Sequence, residues 1–232
     1  EDLPRSIDYD MIVRLAARFP VAFVDAVLFD QRKHDGARGA KTARHAARDS
    51  ETVWLANDQA VFLGFRETLP LGLYEAMFES AEPALATRAA LIQRGAVHAR
   101  RGLWALALED IEAAAAMTDA GPLSHVEAGA CRRAFAGKHG CRDAYAPALA
   151  PRFAALAAAA PLGAGIAGAL GAGLRWRLRE AITRRALGEA ASILGLARHL
   201  KALARLSPLD RPPGEDGRIA ERRVLPAEAY AW

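Results

Sequence analysis

Between Arg88 and Gly121, small residues recur at the offsets of a tight helical hairpin. The stretch reads RAALIQRGAVHARRGLWALALEDIEAAAAMTDAG and is 34 residues long. Gly95 is followed by Gly102, Ala107, Asp110 and Ala114, at steps of seven, five, three and four. At Gly95 and Ala107 two helix backbones can approach with no side-chain bulk between them. Gly102 suits a turn residue with φ > 0. Leu91, Leu106 and Ile111 supply the larger apolar side chains.

This pattern resembles one tetratricopeptide repeat, a helical hairpin of 34 residues. Two departures stand out. His98 takes a position where the family usually carries an aromatic, and the closing proline, Pro122, comes late. The resemblance implies a helical interaction scaffold, and it covers one repeat. Flanking segments read as weaker units. Glu51–Phe65 with Pro70–Phe78 forms one pair, with Tyr74–Glu75–Ala76 imitating the start of a second helix. Ser124–Lys138 with Asp143–Ala158 forms another, across His139–Gly140. Three stacked units are about what a solenoid needs to bury a continuous core, and terminal units drift from consensus. The expected fold is therefore all-α: a short tetratricopeptide-like array closed by a basic C-terminal helix.

Composition agrees. The chain has 232 residues, 52% hydrophobic and 25% charged, so it is too apolar to be disordered. It is rich in alanine, and aromatics are only 7%, which favours close helix packing over sheet. Four segments are expected: residues 1–50, an N-terminal helical segment and basic loop; 51–158, the hairpin array; 159–206, an Ala/Gly-rich segment and basic helix; and 207–232, an extended tail. In the first, Ser6 and Asp8 are N-cap candidates, and Met11, Leu15 and Phe19 form a stripe before Pro20. Val21, Phe23, Val24, Val27 and Leu28 resume after it.

Residues 153–174 carry no charge, with Arg152 before them and Arg175 after. Pro161 sits near the middle and five glycines follow, and a break at Pro161 would leave two pieces, each too short to span a bilayer. A buried helix packed closely on the array is expected instead. From Leu174, apolar residues recur at three and four: Leu178, Ile182, Ala186, Ala190, Ile193, Ala197, Leu200 and Ala204. One amphipathic helix is expected, with breaks allowed at Gly188 and Gly195.

Charge is concentrated there. The net charge is +4, but residues 174–206 hold eight basic and two acidic side chains. That asymmetry points to an acidic partner. In a solenoid the first helices line the inner, binding surface. Arg94, His98 and Arg101 fall on such a helix, with Asn57 in the preceding unit. Together with Arg184 and Arg185 they are the expected contacts to an acidic peptide or protein. Arg offers carboxylates a fork and Asn offers a peptide backbone both donors and acceptors.

Catalytic signals are weak. No phosphate loop, dinucleotide fingerprint, nucleophile elbow or zinc-protease helix occurs. Cys131, His139, Cys141 and Asp143 lie close in sequence but lack the paired spacing of a zinc site. His45/Asp49 and Asp10/Arg14 sit one turn apart, as surface pairs do. Gly188–Leu206 imitates a helix-turn-helix, yet its leucines after Arg198 fall at the wrong intervals, and Ala197, Leu200 and Ala202 stand where base-reading residues belong. Two cysteines suit a reduced, cytoplasmic protein. The reading is a protein-binding scaffold with no cofactor, no metal and no catalytic residue. A helical enzyme or cofactor binder without a linear motif remains the alternative, as does a nucleic-acid or membrane-surface binder using the arginine-rich helix.

Overall fold

The computed structural model describes residues 7–20, 26, 46, 49–137, 141–159, 162–201 and 217–230. Among these residues the chain is predominantly helical, with nine α-helices and two three-residue strands. It divides into two compact units, 1–69 with 224–232, and 70–223. The division falls inside the span 51–158 that the sequence groups as one array. Val21, Phe23, Val24, Val27, Leu28 and most of the basic loop lie outside the described residues, as do Ser6, His139 and Gly140.

The first unit holds α1 (Ile7–Ala16) and α2 (Ser50–Thr68). Arg14 makes the expected surface pair with Asp10, through Nε to both carboxylate oxygens at 3.0 and 2.9 Å. Its guanidinium also lies 5.5 Å from the centroid of the Phe65 ring, a cation–π distance. Phe65 meets Phe62 edge-on. The stripe Met11, Leu15 and Phe19 stands mostly exposed, while Ala17 on another face is buried.

The second unit runs α3 (Leu71–Glu75), β1 (Phe78–Ser80), α4 (Pro83–Ala99), α5 (Trp104–Ala116), α6 (His125–Arg133), α7 (Ala150–Ala158), α8 (Leu162–Thr183), α9 (Leu187–His199) and β2 (Ile219–Glu221). The α4–α5 hairpin forms where the small residues predict it. Pro83 opens α4, a position where its missing N–H costs nothing. Gly102 ends it at φ +75°, its N–H donating to Ala99 O and that of Leu103 to His98 O. These two bonds are the Schellman pattern, which needs a left-handed residue. A Cβ on Gly95 would sit 3.0 Å from Ala107 O and from Ile111 Cγ1, so the two helices touch through that missing methyl.

Next to the hairpin, α6 begins with a capping box. Ser124 Oγ accepts from Glu127 N, and the Glu127 carboxylate accepts from Ser124 N at 2.8 Å. The same carboxylate receives the buried Arg88 guanidinium: Nε to Oε1 at 2.6 Å and Nη2 to Oε2 at 3.0 Å. Arg88 also donates to the carbonyls of Met117, Gly121 and Pro122.

The array of hairpins itself is not what the second unit shows. Two 3-10 turns, Cys141–Tyr145 and Pro147–Leu149, stand between α6 and α7. Instead of closing on α7, α6 packs on α8 and α4, and α7 packs on α8 and α9. The uncharged run 153–174 supplies α7 and the first half of α8, and α8 is the central helix, in contact with α5, α6, α7 and α9. Its glycines make this approach feasible. A Cβ on Gly163 would lie 2.6 Å from Leu156 O, and one on Gly173 2.6 Å from Arg132 O. Trp104 packs against Phe135 and Phe153 at 4.9 and 5.8 Å between ring centroids.

The long C-terminal helix is two helices. The chain breaks at Arg185, not at Gly188 or Gly195. Arg185 takes φ +58°, with its N–H on Ile182 O and that of Ala186 on Ala181 O. This is again the Schellman pattern, here without glycine. Ile182 is consequently exposed, while Ala190, Ile193, Ala197 and Leu200 are buried. Within the tail, β2 pairs antiparallel with β1, Glu79 opposite Ala220.

Replacing Ala107 by Leu should overpack the α4–α5 contact and lower stability by about 1–3 kcal/mol. Ala105→Leu, on the exposed side of α5, should leave the urea midpoint nearly unchanged. Equal midpoints for the two variants would mean that the hairpin is packed otherwise.

Candidate functional site

Of the residues expected on an inner face, Arg94 and His98 are brought together, but around a residue of the protein itself. Arg94 grips the Asp110 carboxylate with two parallel bonds, Nε at 2.9 Å and Nη2 at 2.7 Å. The side chains are 15% and 3% exposed. His98, one turn further along α4, is 1% exposed, with Nδ1 3.8 Å from Asp110 Oδ2. The fork that the sequence offers to a partner's carboxylate is occupied, and the imidazole lies in the interior. Arg101 is half-buried in the turn after α4. Asn57 belongs to the other unit, and its side-chain amide donates to Val53 O at 2.7 Å. Arg184 and Arg185 are exposed at the α8–α9 link. Arg184 is 3.4 Å from Glu189 and 3.8 Å from Glu180.

Arg94→Ala would leave the Asp110 carboxylate buried without its strongest partner. The expected loss of stability is about 3 kcal/mol, read as a fall in the urea midpoint. Removing Asp110 as well, in Arg94→Ala with Asp110→Ala, should restore part of it.

A different surface gathers cations in one groove. A groove of about 470 Å³ lies where α6 ends against α8, lined by Arg132 and Ala136 on one side and Ala172, Gly173, Arg175, Trp176 and Arg179 on the other. Its origin is helical spacing. Residues 172, 175, 176 and 179 share one face of α8, while Leu174, Arg177 and Ala181 point inward and are buried. Arg177 is held internally: it donates to Phe135 O at 3.0 Å and to Glu180 at 3.1 Å. Arg177 and Arg184 form ion pairs with Glu180 and Glu189, and among the described residues Arg179 enters none. Arg132 Nε is buried with no acceptor. Trp176 is 59% exposed beside them. No lining residue is acidic. The sequence registers Arg175 and Arg179 as part of the basic run. Arg132, 43 or more positions earlier, and Trp176 carry no local signal of membership.

The cysteines are free and buried. Among the described residues no three His, Cys, Asp or Glu side chains cluster as metal ligands do. Burial, and next the Glu127 carboxylate, push the Cys131 thiol from 9.0 up to about 12. Burial also raises Cys141, against the pull of the neighbouring Arg177 guanidinium. Cys141 Sγ lies 3.6 Å from the carbonyls of Phe135 and Gly137. A raised thiol favours the protonated, folded form. Its contribution is complete below pH 9 and is lost as pH rises through the folded value near 12. Denaturant midpoints measured between these limits should fall more steeply for the wild type than for Cys131→Ala.

No helix among the described residues is long and apolar enough to cross a membrane. Comparison with protein-family models, with curated proteins and with solved structures found no match to this chain.

Proposed function

We propose that the protein is a non-catalytic helical scaffold, akin to tetratricopeptide proteins, that binds an acidic segment of a partner protein in the α6–α8 groove. One observation carries this reading. Arg132, Arg175 and Arg179 line a single groove in which no acidic residue stands. Guanidinium forks match carboxylates, and a cleft lined by one sign of charge concentrates the opposite sign. The exposed Trp176 adds an apolar surface for a side chain that flanks the acidic residues. The α4–α5 hairpin, joined at Gly102, supports the likeness to a single repeat. Both cysteines being free thiols fits a reducing compartment, the cytoplasm.

The probe is a fluorescently labelled polyglutamate peptide, followed by anisotropy at low ionic strength. Arg132→Ala with Arg179→Ala should weaken binding strongly, while the melting temperature stays close to that of the wild type, because among the described residues neither side chain is in an ion pair. Added salt should mimic the double variant. Unchanged affinity would remove the groove from consideration. A single-stranded oligonucleotide that outcompetes polyglutamate would replace the acidic partner with nucleic acid, since Trp176 between two arginines also suits a stacked base.

A further inference from the structure

The arginines that α8 gives to the α6–α8 groove belong to a longer strip. Counted at about 100° per residue, Arg175 and Arg179 lie between Trp176 and Ile182 on the outer face of this helix. Trp176 is 59% and Ile182 58% exposed, so two large apolar side chains flank the cations. Ala172, one turn before Trp176, adds a small residue to the same face. From Ala172 to Ile182 the strip runs about 15 Å, close to three turns of helix.

Charge and backbone both restrict the occupant. Among the described residues Arg132 and Arg179 enter no ion pair, and Arg132 Nε is buried with no acceptor. Glu180, the one acid of α8, is held by Arg177 at 3.1 Å and by Arg184 at 3.8 Å. The strip is therefore open to carboxylates from outside. It offers no main-chain pairing. Along the side of a helix the N–H and C=O groups bond within their own chain, so an extended occupant finds no backbone partner on α8. A helical occupant satisfies its own backbone and needs none.

We infer, on the footing of the acidic partner proposed above, that the segment taken up here is an amphipathic helix. It lies along α8 with carboxylates on Arg132 and Arg179 and apolar side chains on Trp176 and Ile182. Its apolar residues recur at three and four with acids between them, matching the α8 strip. This is the helix-in-groove mode, read through anchors one and two turns apart. Ala136 and Ala172 are small enough to let its backbone come close. Covering Trp176 and Ile182 takes apolar surface out of water, a gain that charge alone does not supply.

The test uses the full chain and three labelled peptides of glutamate and leucine, followed by anisotropy beside polyglutamate. The first carries leucine at every third and fourth position. The second has the same residues scrambled, and the third is the first with a central proline on its outward face. The first should bind about tenfold or more tighter than the other two, because proline interrupts a helix but not an extended chain. Ile182→Ser should bring the first peptide down to the affinity of the scrambled one. Polyglutamate affinity and the melting temperature should stay unchanged in that variant. Equal affinity for all three peptides, with polyglutamate still bound, would overturn the helical partner and leave the acidic one standing. Failure of polyglutamate and all three peptides to bind would remove both. Tighter binding to phosphatidylserine vesicles than to the first peptide, lost in Ile182→Ser, would assign the strip to a lipid surface instead.

Discussion

The second unit is organised around one buried cation. Arg88 has five N–H bonds to give, and all five are accepted: two by Glu127 and three by backbone carbonyls. A guanidinium taken out of water costs several kcal/mol, and only such saturation offsets it. The acceptors come from the end of α5, the following loop and the first turn of α6. Arg88 itself is in α4. The ion pair therefore fixes where α6 starts and at what angle it leaves the hairpin. Glu127 also caps α6 through Ser124, so one carboxylate serves the helix end and the tertiary clamp together.

The candidate groove follows from that placement, because α6 forms one of its walls. Arg132 and Arg133 are neighbours in sequence, and successive residues on a helix point about 100° apart. One faces α8 and the other β2. A helix of nine residues thus carries two cationic edges, and the clamp at its N-terminus holds both.

What could be read from the sequence was local. The α4–α5 hairpin, its glycine turn and the contact at Gly95 depend on residues within a few turns of one another, and they appear where the spacing puts them. A break at Pro161 is allowed by the same local logic, but the one buried helix expected over this run is α7 and the first half of α8. Longer links were not. Glu127 lies 39 positions from Arg88, and Asp110 lies 16 from Arg94. Nothing in composition reveals that these charges meet. Arg94 read alone looks like a binding residue, and only its partner across the hairpin shows that it is internal. The break at Arg185 escaped notice because the left-handed residue is an arginine where glycine is usual. The pairing of β2 with β1 joins segments about 140 positions apart, beyond any periodicity.

Gly173 bears on how narrowly the cationic groove is defined. At this glycine α8 meets the backbone of α6, and the distance to Arg132 O leaves no space for a methyl group. The floor of the groove is thus the contact itself, and the gap between its arginine walls is set by an absent side chain. Any other residue at this position would act as a spacer. It would push Arg132 away from Arg175 and Arg179 and change the size of anion that all three could reach at once. Selectivity in this groove is therefore a matter of backbone separation as much as of charge.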